Sequence, residues 1–74
     1  MENLALIKAR ESYGISKEVM AAALNYYDIR TYEHHELDES SRPTPINAAK
    51  IAAILKVEID SIFPEVEKFL QSQK

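Results

Sequence analysis

The chain has no cysteine, one glycine and three prolines in 74 residues. Without cysteine there is neither a disulfide staple nor a thiolate metal site. So little glycine and proline disfavours a strand-and-turn architecture and favours helices joined by short connections. No apolar run approaches the roughly 18–20 residues of a membrane-spanning helix, and the start lacks the basic stretch and apolar region of a secretory signal, so a cytoplasmic protein with no membrane role is expected. Positive charge is also short. Nine Lys and Arg face twelve Asp and Glu, giving a formal net charge of -3 and a pI near 5.3. The basic residues are scattered from Lys8 to Lys74 with no cluster. This counts against a nucleic-acid partner, which is usually met by a basic face that displaces counterions from phosphate. Placement can still outweigh the sum, because the Debye length is only about 8 Å at physiological salt.

What the chain does have is alanine and aliphatic residues at helical spacing. Asn3 is placed to cap a first helix, and Gly14 stands at its natural stop. Ser16 caps a second helix running from Lys17 to about Leu24, with Ile15 and Met20 spaced as a hydrophobic staple. The small Met20-Ala21-Ala22-Ala23 segment suits a close crossing by the next helix. Asp28 caps a third helix over Ile29 to Glu36, and Tyr27 and Tyr32 repeat the staple spacing. The polar loop Leu37 to Arg42 leads to Pro43-Thr44-Pro45, where Thr44 caps and Pro45 suits the first turn of a fourth helix over Ile46 to Lys56. Ile51, Ala52 and Leu55 form its buried stripe. Glu58 is a weak cap for a short fifth helix, with a third staple between Val57 and Ile62.

The expected architecture is all-α: one five-helix domain over residues 1–63 and a short helical tail over 64–74. A core of this size supplies only about 3–5 kcal/mol. Val66, Phe69 and Leu70 continue the apolar stripe of Ile59 and Ile62 beyond Pro64, which should kink or restart the helix. They serve either as additional core or as a homodimer interface.

The order of caps, small residues and apolar positions resembles the Cro and phage-repressor type of helix-turn-helix protein, the xenobiotic-response-element family, over about Leu4 to Phe63. The residues carrying the likeness are Arg10 before Gly14-Ile15-Ser16, Ala21, Glu36, Pro43, and the closing Ala52, Leu55, Val57 and Ile59. Two departures stand out. There is one residue more than usual between Ala21 and Glu36, most easily placed at Asn25-Tyr26, and Leu37-Asp38 stands where glycine and basic residues are usual.

The resemblance implies a lambda-repressor-like fold whose third helix reads the major groove of double-stranded DNA, commonly as a dimer on a two-fold operator. Carried over by position, Arg30, Thr31 and His34 would face base edges, beside the cap Asp28. Arg30 is the strongest candidate, since a guanidinium can make paired bonds to guanine worth about 1–3 kcal/mol of discrimination. A solvated arginine is the plainer alternative. Ser16, Lys17, Tyr26 and Arg42 would meet phosphate, although Ser16 and Lys17 are equally accounted for by a cap with a solvent-facing lysine, and one of Tyr26 and Tyr27 should pack inward. Arg10 and Glu36 would form a partly buried structural ion pair.

Other chemistries find little here. Adjacent His34 and His35 point about 100° apart on a helix and cannot readily share a metal, and His34 with Asp38 gives too few ligands. His35 is expected half buried against the first helix. No nucleophile and base stand at a recognisable spacing, and there is no glycine-rich phosphate loop, so neither an enzyme nor a cofactor is expected. The second functional reading is an acidic modulator or antirepressor on the same scaffold, offering Asp28, Glu33, Glu36, Asp38 and Glu39 to a basic repressor's DNA-binding face. A structural phage protein using the fold is a third.

Overall fold

A computed structural model describes residues 1–64, so the tail residues Val66, Phe69 and Leu70 lie outside the described residues. The chain is all-helical there, with α1 (Leu4–Tyr13), α2 (Lys17–Ala23), α3 (Ile29–Leu37), α4 (Pro45–Leu55) and α5 (Ile59–Ile62). None of these helices is long and apolar enough to cross a membrane.

Local chemistry sets the boundaries. Side chains of Asn3, Ser16, Asp28 and Thr44 each accept a hydrogen bond from a first-turn amide, while Glu58 makes no such bond and opens only a four-residue helix. Three helices end in the same way. Gly14 (φ 82°), Asn25 (φ 60°) and Lys56 (φ 57°) adopt the left-handed conformation that reverses the chain. The following residue, Ile15, Tyr26 or Val57, then donates its amide back five positions, to Arg10, Ala21 or Ala52. Asparagine tolerates this conformation better than most residues, so Asn25 can end α2 in a tight turn.

α2 packs against α3, α4 against α5, and α1 touches α3, α4 and α5. Leu6, Met20, Ala21, Leu24, Tyr32, Ala48, Ile51, Ala52, Leu55, Ile62 and Phe63 form one core, with Ile15 and Val57 packed at its edge. The staple expected between Tyr27 and Tyr32 does not form: Tyr32 is fully buried, whereas Tyr27 is wholly exposed. The turn puts Tyr26, not Tyr27, on the inner side, and Tyr26 packs against the core in its place.

One polar contact joins the ends of three helices. Arg10 on α1 donates from Nε to Glu36 Oε2 at 2.6 Å, from Nη2 to Glu36 Oε1 at 3.3 Å, and from Nη1 to the Ile15 carbonyl at 2.9 Å. The hydrogen bond and charge of Glu36 raise the Arg10 pKa, so the guanidinium stays charged. The Glu36 carbonyl meanwhile accepts from the Asn3 amide at 2.8 Å, and the Asn3 side chain reaches the Ile62 carbonyl at 3.0 Å. The nearby Tyr32 hydroxyl has no hydrogen-bond partner among the described residues. Burial first, and the neighbouring Glu36 carboxylate second, keep that phenol un-ionised.

Glu36 is only 2% exposed, so Glu36→Gln strands the Arg10 cation and is expected to cost about 3–5 kcal/mol, read as a fall in urea midpoint. An unchanged midpoint would show the pair to be idle. Gly14→Ala meets no atom within 4 Å of the added Cβ, so its expected cost is conformational alone, about 1 kcal/mol.

Candidate functional site

Two periodicities divide α3. Tyr32, His35 and Glu36 face inward and are buried, while Arg30, Thr31 and His34 lie exposed on the other side. α2, whose buried residues are Met20 and Ala21, packs against this rod. The exposed residues are those the sequence assigned to base contact, and they share one face because their offsets fall within one turn of helix.

The charges on this side are arranged in pairs. The Asp28 carboxylate caps α3 by accepting the Arg30 amide at 2.9 Å, and it also accepts from Arg30 Nε at 3.2 Å and Nη2 at 2.8 Å. The Arg30 side-chain hydrogen bond, then the amide bond, lower the Asp28 pKa; the same contact raises that of Arg30. On α2, Lys17 Nζ lies 3.5 Å from Glu33 Oε2 of α3. Ser16 is engaged as a cap, its hydroxyl accepting from the Val19 amide at 3.2 Å. Arg42, in the loop after α3, donates from Nε to the Glu39 carbonyl at 3.1 Å. That loop is shaped by Asp38, whose carboxylate accepts from both the amide and the hydroxyl of Ser40, contacts that lower its pKa.

Tyr26, expected to meet phosphate, engages its hydroxyl in a partly buried chain of hydrogen bonds, and the direction of each bond follows once His35 is neutral, as its lowered pKa implies. The Ser41 carbonyl can only accept, so His35 Nδ1, 2.6 Å away, carries the proton. His35 Nε2 therefore accepts, and the Tyr26 hydroxyl donates to it at 2.9 Å. The same Tyr26 oxygen accepts from Asn47 Nδ2 of α4 at 3.3 Å. His35, expected half buried against α1, is buried, with its ring against those of Tyr26 and Tyr32. The turn before α3, α3 itself, the loop after it and α4 are tied together through one neutral imidazole.

Tyr27 is the exposed residue that sequence reasoning missed. Consecutive tyrosines in a turn put one side chain in and one out, and only knowledge of the turn geometry says which. Glu36, counted from sequence among the acids available to a partner, is buried in the pair with Arg10 and offers nothing outward. Elsewhere, a groove of about 370 Å³ lies between the N-terminus and α5, lined in part by Met1, Leu4, Arg42, Ser61 and Phe63. Its Ser61 hydroxyl donates to the Glu58 carbonyl at 2.6 Å, and no base faces it in the described hydrogen bonds. Among the described residues, no three His, Asp or Glu side chains gather as a metal site would need.

Burial holds the His35 pKa below its ordinary value near 6.5, against the Ser41 carbonyl, which raises it. The unfolded chain therefore binds the proton first, and stability falls as pH drops below about 6.5. The expected result is a melting temperature that declines between pH 7 and 5.5 in the native protein and stays level in His35→Gln. Asp28 and Asp38, lowered from carboxylate values, titrate below that window. Parallel slopes in the two proteins would remove His35 as the cause.

Comparison of the chain with family models, curated proteins and solved structures found no match, so function has to be read from these side chains.

Proposed function

We propose that this is a sequence-specific DNA-binding regulator of the Cro and phage-repressor helix-turn-helix type, with α2 and α3 as the helix-turn-helix and α3 as the helix entering the major groove. The observation carrying this reading is the division of α3: an inner side locked by Tyr32, His35 and Glu36, and an outer side presenting Arg30, Thr31 and His34. A rod so held can approach base edges without rearrangement, and its side chains include hydrogen-bonding types suited to major-groove donors and acceptors. The first turn of α2, with Lys17 beside it, is placed for a phosphate on the flank. Tyr27, fully exposed just before the Asp28 cap, adds an aromatic ring at the same edge.

Regulation follows by occlusion: a protomer pair seated on a two-fold site excludes polymerase. Neither catalysis nor a cofactor enters this reading, and it is compatible with a cytoplasmic protein.

One observation favours a second reading. Asp28 and Glu33 neutralise Arg30 and Lys17 locally, and Asp38 and Glu39 extend the acidic edge, so the same surface could dock on a basic repressor and block its DNA-binding face.

Selection from random duplexes with the full chain, followed by anisotropy titration, separates the two. The DNA-binding reading expects an enriched motif, retention on heparin at low salt, and a loss of about ten-fold or more in discrimination on Arg30→Ala. Absence of enrichment, with flow-through on heparin and saturable binding to a basic helix-turn-helix protein, would establish the modulator instead.

A further inference from the structure

Arg30 and Asp28 divide a guanidinium between two uses. A guanidinium has a side edge, made by Nε–H and one Nη–H, and an end edge, made by the remaining Nη–H groups. Asp28 occupies the side edge, through Nε at 3.2 Å and Nη2 at 2.8 Å. Arg30 Nη1 makes no hydrogen bond among the described residues, and the Arg30 side chain is 77% exposed. The carboxylate does not simply follow the guanidinium, because its Oδ1 is also held by the Arg30 backbone amide at 2.9 Å. The anchor is therefore fixed to the start of α3, and the fork is fixed to the anchor.

We propose that Asp28 is a positioning residue for base recognition: it holds Arg30 by the side edge so that the end edge meets the paired acceptors N7 and O6 of a guanine. The proposal rests on the DNA-binding reading and extends it by naming the base and the residue that aims its contact. A simple electrostatic competitor would cover the end edge and have to be displaced before binding. Here the edge that matches two parallel acceptors is left open. Holding the long side chain beforehand also removes part of the rotamer freedom that binding would otherwise take away. Cap and aim are combined in one carboxylate, which accounts for aspartate in a region where negative charge otherwise opposes phosphate.

The test uses the full chain and the duplex obtained by selection, with each base pair varied in turn. Arg30→Lys, which keeps the charge and loses the fork, identifies the guanine position. Asp28→Ser keeps a good helix cap but is too short to hold the guanidinium. It is expected to reduce the preference for guanine at that position about ten-fold, leaving other positions and the melting temperature unchanged. Asp28→Asn, which retains one neutral acceptor, should fall between. In the Arg30→Lys background, Asp28→Ser should have no further effect on that preference. A uniform rise in affinity for all duplexes with guanine preference intact would overturn the proposal and make Asp28 a competing charge only. Additive effects of the two substitutions at that position would overturn it equally. Failure of the native chain to enrich any duplex would remove the DNA-binding reading and this proposal with it, an outcome distinct from both.

Discussion

The contact between Arg10 and Glu36 governs the orientation of α3. Glu36 sits in the last turn of that helix, and its carboxylate is reached from α1 by a cation that also holds the Ile15 carbonyl in the α1–α2 turn. The Asn3 amide takes the Glu36 carbonyl, and the Asn3 side chain ties the same point to Ile62 at the end of α5. α3 is thus fixed at its end by main chain and side chain together, while its outer face stays unencumbered. An apolar contact in this position would fill space without specifying an angle. A forked ion pair with an added carbonyl specifies both distance and direction. Desolvating two charges has its own cost, so the return on this arrangement is geometric definition more than stability.

The other end of α3 is held differently. Asp28 caps it, Tyr26 anchors the preceding turn, and His35 links that turn to the following loop through a ring that must remain neutral. A buried polar chain of this kind is favourable only when every member is satisfied. Each donor from Asn47 to Tyr26 to His35 to Ser41 has its acceptor, so the turn and the loop flanking α3 move together or not at all. The left-handed Asn25 lets the chain reverse immediately before this network and makes the connection a defined corner.

Much of this was legible in the sequence because it depends on local chemistry. The caps Asn3, Ser16, Asp28 and Thr44, the stop at Gly14, and the buried stripe Ile51, Ala52 and Leu55 follow from residue type and spacing alone. The exposure of Arg30, Thr31 and His34 follows from helical period once α3 is placed. What could not be read depends on contacts between segments distant in sequence. Tyr26 and Tyr27 are chemically alike, and the turn alone decides which is buried. The burial of His35 was legible, but the carbonyl that orients it belongs to Ser41, in a loop shaped by the Asp38–Ser40 bonds. Glu33 was counted as an acid open to a partner, and the α2–α3 packing that brings Lys17 to it could not be read from local spacing.

An acidic chain that reads DNA has to obtain its affinity in an uncommon way. Each phosphate neutralised contributes a salt slope of about -0.9 in log K. On the proposed reading the cations assigned to this edge are Lys17, Arg30 and Arg42, and Lys17 and Arg30 lie beside the carboxylates of Glu33 and Asp28. On that reading non-specific attraction to duplex would be small, with the acidic Asp38 and Glu39 reducing it further. Weak non-specific binding is not a defect for a regulator, because genomic DNA presents about 10⁶–10⁹ competing sites and occupancy depends on the ratio of specific to non-specific affinity. Under the proposed dimeric reading, the affinity lost per protomer would be recovered by joining two reading helices on one site, where the second contact forms at high effective concentration. On this chemistry base contacts carry a larger share of the binding energy than in a basic repressor, and the aim of each contacting side chain matters more. A carboxylate that gives up phosphate attraction to fix the direction of one guanidinium is consistent with that balance.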